Sequence, residues 1–118
     1  MMLKVEAIVR EEKFEDVKSA LDAISVNGLT VSQVMGCGVQ RGYKEVVRGV
    51  EVDLKMRPKI KFEIVVSSEE WAEKTIDAIQ KAAYTGEPGD GKIFCYEIKS
   101  ALKIRTGETG YDAIQATN

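Results

Sequence analysis

Residues 59–66 read KIKFEIVV, and their alternation decides the fold. Ile60, Phe62, Ile64 and Val66 fall on one side and Lys59, Lys61 and Glu63 on the other, the period-2 pattern of a strand with one buried face. Pro58 opens it, a position a strand tolerates. Directly behind it, Ser67 and Glu70 have the S-x-x-E spacing of a capping box. That spacing predicts a helix whose apolar stripe is Ala72, Ile76, Ile79 and Ala83, ended by Gly86. The stretch KIFCYEIK that follows the glycines is predicted to be another strand.

The same order occurs upstream. In LKVEAIVR, Leu3, Val5, Ala7 and Val9 alternate with Lys4, Glu6 and Arg10, while Ile8 falls on the polar side. EEKFEDVKSALDAI places Phe14, Val17, Leu21 and Ile24 on one helical stripe, with Glu11 and Glu12 at the positive end of the helix dipole and Asn27-Gly28 as its stop. LTVSQVMG, rich in branched residues, reads as a strand. Residues 36–57 have no good period and read as a long exposed loop. Two β-α-β halves of similar length make the α+β split β-α-β of a ferredoxin-like sandwich, a single domain over 1–118. Right-handed crossovers put both helices on one face of a four-stranded antiparallel sheet. The other face mixes Ile8, Val34 and Val65 with charged residues, a surface that oligomerisation can use.

The 118 residues carry a net charge of −2 with acids and bases well mixed, so no basic field attracts a nucleic-acid backbone. Histidine is absent, which removes His triads, His metal sites and the usual base near neutral pH. The two cysteines, Cys37 and Cys95, form no C-x-x-C pair and read as reduced thiols. MMLKVEAIVR lacks the apolar stretch of a signal peptide, so a cytoplasmic protein is expected. No nucleophile and base stand together, and an enzyme is not expected.

GEPGDGK, residues 86–92, matches the start of a P-loop, G-x-x-x-x-G-K, but Ile93 follows where Ser or Thr would hold magnesium. The context differs too, because these glycines follow a helix and enter a strand. A turn with three glycines can still aim backbone N–H groups at an anion, with Lys92 beside them. Its plainer use is a helix-to-strand turn. KIRTG, residues 103–107, is read as an extended segment with Lys103 and Arg105 on one side, again an anion site or two solvated cations.

TGEPGDGKIF followed by IRTGE closely resembles the B-loop and C-loop of the PII nitrogen-signalling family. Thr85, Gly89, Asp90, Gly91, Lys92, Ile93 and Phe94 fit its second motif, with Cys95 at a usually aliphatic position. KVEAIVR, GLTVSQVMGCGVQ and PKIKFEIVV resemble its strands, so the likeness spans nearly the whole chain. It implies a homotrimer of ferredoxin-like subunits with a T-loop at about 38–57, a B-loop at about 84–92 and a C-loop and tail at about 103–118. It implies ATP or ADP in clefts between subunits. Gly38, Gln40, Gly89, Asp90, Gly91, Lys92, Lys103 and Arg105 would serve phosphates and ribose, and Thr30, Glu63 and Val65 the adenine.

Gln40 would also hold Mg²⁺ through ATP. With Arg41, Gly42 and Lys59 it would bind 2-oxoglutarate. Oxygen donors suit Mg²⁺ and a lysine suits a carboxylate. Arg48 matches the arginine that plugs an ammonium transporter pore, and glutamine synthetase is the other implied target. Membrane contact would come only through the transporter. Three departures stand out. Lys103 occupies a usual Arg position, Val39 replaces a common phosphate-contacting Arg, and VRGVEV at 47–52 lacks the modified tyrosine and serine, so uridylylation is not expected. The alternative within the family is a diverged receptor that reads adenine nucleotide with another metabolite, such as bicarbonate.

Overall fold

The computed structural model describes residues 1–39, 45–47, 50–52 and 54–114. Strand β1 (Met2–Arg10) lies inside the sheet, with Leu3, Val5, Ala7 and Val9 buried. A 3-10 turn at Glu11–Lys13 precedes helix α1 (Phe14–Ala23), so the α-helix starts at Phe14, the first residue of the apolar stripe, and Glu11 and Glu12 lie in the turn before it. Strand β2 (Leu29–Val39), the short strands β3 (Glu45–Val47) and β4 (Val50–Val52), strand β5 (Leu54–Val66), helix α2 (Glu69–Ala83) and strand β6 (Gly91–Ile98) follow.

The order in the four-stranded sheet is β2-β5-β1-β6. Every neighbouring pair is antiparallel, with Val5 opposite both Ile64 and Cys95, and Leu29 opposite Ile64. This is the ferredoxin-like arrangement. Both helices meet one face, where Val17 and Leu21 of α1 and Ala72, Ile79 and Ala83 of α2 join Ile60, Phe62, Ile64 and Val66 in one cluster. Phe14 stacks on Phe62 with ring centroids 5.8 Å apart. Burying one such side chain contributes on the order of 2 kcal/mol, so the alternation of β1 and β5 is the main energetic reason for this layering.

Helix ends differ from the sequence expectation. Helix α1 is closed before Asn27-Gly28, by Ser25 at φ 64°. Ser25 N–H donates to Asp22 O at 2.9 Å and Val26 N–H to Leu21 O at 2.9 Å, the pattern of a Schellman cap. Helix α2 is capped by Ser68 instead of Ser67, its Oγ accepting from Trp71 N at 3.2 Å. Glu70 therefore sits one position too early for a capping box.

The segment read as a loop over 36–57 is partly strand. Pairing of β2 with β5 continues through Cys37 opposite Met56 to Val39 opposite Leu54, and β3 pairs with β4 as a separate hairpin. Backbone ladders need no apolar alternation, which is why periodicity missed them.

Past β6 the chain is not extended over residues 103–107. Leu102 bridges Thr109, residues 104–106 form a turn, and Gly107 N–H donates to Lys103 O at 2.7 Å. A 3-10 helix (Gly110–Ile114) then brings the Tyr111 hydroxyl to accept from the Met1 amine.

The sheet face away from the helices carries Lys4, Glu6, Ile8 and Arg10 of β1 and Lys59, Lys61, Glu63 and Val65 of β5. Lys4 pairs with Glu63, and Lys61 pairs with Glu6 at 2.7 Å. The Tyr96 hydroxyl donates to Glu6 at 3.1 Å. The bond from Lys61, more than that from Tyr96, draws the Glu6 carboxyl below its usual range.

Candidate functional site

Helix α2 stops at Tyr84, whose N–H still reaches Gln80 O at 3.1 Å while its own backbone is extended. The chain then turns sharply into β6. Gly86, Gly89 and Gly91 take φ values of 89°, 101° and 106°, a region closed to side chains. At Gly91 the approach is also steric, since a Cβ there would lie 1.8 Å from Ile8 O of the neighbouring strand.

Asp90 organises the turn. Its carboxylate accepts from Thr85 N at 2.8 Å, Gly86 N at 2.9 Å, the Thr85 hydroxyl, and Arg10 Nε at 3.0 Å. The Thr85 hydroxyl first, then the Thr85 amide, with Arg10 and Gly86 behind them, hold the Asp90 carboxyl well below the usual range. Glu87 N–H donates to Thr85 Oγ1 at 3.1 Å. The amides of Thr85, Gly86 and Glu87 are thus engaged within the turn, which closes residues 85–90 into a ring.

Two cations tie that ring to the sheet. Arg10 Nη2 donates to Pro88 O at 2.8 Å, and Lys59 Nζ donates to Gly89 O at 2.6 Å. Arg10 and Lys59 are cross-strand neighbours, so adjacent strands deliver both charges to one place. Gly36 leaves room for the lysine stem, since a Cβ there would meet Lys59 Cγ at 3.0 Å. Burial first, then the charges of Arg10 and Arg57, push the Lys59 ammonium below its ordinary value. Lys92, exposed, continues on the open face opposite Ile8. A rigid turn flanked by three cations is suited to an anionic ligand.

Other residues singled out in the sequence fall in several places. Thr30 is directly opposite Glu63 on the open face, with Val65 two residues further along the same side. Glu63 is four residues along β5 from Lys59, about 13 Å of strand. Gly38 is in β2 opposite Lys55. Gln40, Arg41, Gly42 and Arg48 lie outside the described residues.

Lys103 and Arg105 are not at the glycine turn of their own chain. Gly91 pairs with Val9 at one end of β6 and Ile98 with Met2 at the other, seven steps or about 23 Å apart. The turn at 102–109 belongs to the Met1 end, since Gly110 N–H donates to Ala101 O at 3.1 Å and Tyr111 contacts Met1. There Lys103 lies 3.9 Å from Glu108, and Arg105 is exposed.

Arg10 and the anchoring role of Asp90 were not legible in the sequence. Arg10 belongs to the polar side of β1, but its partner is 80 residues away and only strand register brings them together. Among the described residues no group of three or more His, Cys, Asp or Glu could hold a metal ion. Nor is any described helix long and apolar enough to cross a membrane.

Comparison with known proteins fits this geometry. The family model described as Nitrogen regulatory protein P-II matches residues 2–108. The chain is 49% identical to Nitrogen regulatory protein P-II 1 of Methanothermobacter thermautotrophicus, over 96% of this chain and 97% of that one. Among solved structures it is similar to the Bacillus subtilis GlnK-ATP complex, with 42% identity, TM-score 0.79, and 95% and 96% of the two chains covered. It is also similar to Arabidopsis thaliana PII bound to citrate, with 39% identity, TM-score 0.77, and 99% and 93% covered.

Proposed function

We propose a function from one premise: this chain belongs to the nitrogen regulatory protein P-II family. It acts as a sensor rather than an enzyme, binding ATP or ADP at the glycine turn and 2-oxoglutarate beside it. The observation that carries this reading is the ring closed by Asp90, with Lys59 and Lys92 at its sides. Loop strain and ordering are met before any ligand arrives, so binding costs less entropy. A neighbour solved with ATP supports the nucleotide, and one solved with citrate supports a carboxylate effector.

The base lies against Thr30, Glu63 and Val65, and the phosphates meet Gly89, Asp90, Gly91 and Lys92, with Gly38 alongside. Lys103 and Arg105 stand at the far end of their own sheet, so they reach this site only from another copy. The working unit is then an assembly of several copies with sites between subunits, which the family likeness makes a homotrimer. Mg²⁺ bound with the triphosphate would take a protein oxygen from Gln40 and would neutralise phosphate charge. Gln40, Arg41, Gly42 and Lys59 hold 2-oxoglutarate. Lys59 already donates to Gly89 O, and a carboxylate is a stronger acceptor. Effector and turn thus share one cation, which couples the two ligands.

Residues 38–57 carry the output, contacting an ammonium transporter through Arg48, or glutamine synthetase, from the cytoplasm. Calorimetric titration with Mg-ATP and ADP, each with and without 2-oxoglutarate, tests the reading. Binding of 2-oxoglutarate only alongside Mg-ATP supports it. Nucleotide binding without any 2-oxoglutarate response favours the receptor for another metabolite, such as bicarbonate. Absence of nucleotide binding rejects both. A uridylyl adduct in the intact mass after treatment with a PII uridylyltransferase would contradict the expected lack of that modification.

A further inference from the structure

The ring at 85–90 is closed by its own hydrogen bonds, but closure alone does not fix where it sits. Gly86 and Gly89 shape the ring from inside, and only Gly91, at the start of β6, joins it directly to the sheet. The side chains of Arg10 and Lys59 run from the sheet to this ring and hold it. They differ in kind. Lys59 makes one bond to a carbonyl, whereas Arg10 uses its planar fork, Nε to the Asp90 carboxylate and Nη2 to Pro88 O. A fork fixes orientation as well as distance, which a single ammonium does not. The pair is partly shielded, with side-chain exposures of 20% for Arg10 and 24% for Asp90.

We infer that Arg10 is a positioning residue for nucleotide binding, acting through Asp90 and Pro88 to hold the glycine turn at the angle that receives phosphates. This rests on the nucleotide reading of the turn. It adds to that reading a residue from β1 whose effect is transmitted by the ring. Lysine at this position keeps the charge but loses the two-point geometry.

The test is a double-mutant cycle on ATP affinity, measured by calorimetry on the full chain with wild type, Arg10→Gln, Asp90→Asn and the double variant, each checked for thermal melting and assembly. Arg10→Gln is expected to weaken ATP about tenfold, and by clearly less in the Asp90→Asn background, where chiefly the bond to Pro88 O is left to lose. Arg10→Lys is expected to recover only part of the loss. Adenosine, which lacks phosphates, is expected to bind wild type and Arg10→Gln equally, a split that general unfolding would not produce. If Arg10→Gln fails to fold, Arg10→Lys in the same cycle decides the matter. Unchanged ATP affinity, or full additivity with Asp90→Asn, overturns the inference while leaving the nucleotide site standing. Absence of ATP binding to wild type removes the functional reading instead.

Discussion

The two turns at the ends of β6, residues 84–91 and 102–109, are built in opposite ways. The first is cross-linked to distant strands. Asp90 gathers Thr85, Gly86 and Arg10, and Lys59 reaches Gly89 from β5. The second relies on short-range bonds, with Gly107 N–H on Lys103 O at 2.7 Å and Glu108 N–H on Thr106 Oγ1 at 3.2 Å. At its tip Ile104 is 95% exposed. The first turn is finished within one chain, whereas the second presents an apolar side chain and Arg105 outward, toward what we propose is another copy. Rigidity in one and exposure in the other are what a site assembled between subunits requires of its two halves.

The largest test of that contrast is Gly91→Ala. A Cβ 1.8 Å from Ile8 O combines with φ 106°, so strand β6 must shift. A loss of about 3 kcal/mol or more in denaturant unfolding is expected. Wild-type stability would mean that the turn is far softer than its bonds imply.

Next is Ile104→Lys. If a second copy covers this side chain, each copy loses about 2 kcal/mol of apolar burial. The mass from light scattering should then fall from trimer toward single chain. A stable trimer would show that the exposed tip is not part of the contact.

A smaller effect is expected at Gly107, where φ is 75° and an added Cβ would meet nothing within 4 Å. Gly107→Ala should cost about 1 kcal/mol, from backbone conformation alone. Comparison with Gly91→Ala separates conformational strain from steric collision.

The finest test is pH. The folded pKa of Asp90 lies below its unfolded value, so its stabilising effect is complete above the ordinary carboxylate pKa of about 4. It is lost as pH falls through the lowered folded value. Asp90→Asn should therefore flatten the acid limb of stability against pH, while Gly107→Ala leaves its shape unchanged. An unaltered limb would show that Asp90 is not what acid disrupts in the turn.

The layers were legible because each depends on spacing within one element. Ile60, Phe62, Ile64 and Val66 repeat every second residue, and Ala72, Ile76, Ile79 and Ala83 every third or fourth. Ends were less legible. Ser67 and Ser68 both offer a hydroxyl before α2, and only backbone geometry selects Ser68. Ser25 closes α1 in a left-handed conformation that favours Gly or Asn, so its residue type gave no cue.

For the site, the glycines and Lys92 were visible as a motif, and Gly91 proves to be required by a neighbouring strand that no local pattern reveals. Arg10 read as one polar residue on a half-buried strand. Lys103 and Arg105 read as companions of the glycine turn, yet the chain carries them to the opposite end of the sheet.

The sequence by itself determined the elements, their order and the faces they bury, because side-chain periodicity is a local property. Tertiary structure alone decided that Arg10 and Lys59 stand side by side, and that Asp90 faces inward to staple its turn. It also decided that the glycine turn and the turn carrying Lys103 and Arg105 lie about 23 Å apart along β6. Those facts follow from strand register, which is set by packing between segments far apart in the chain.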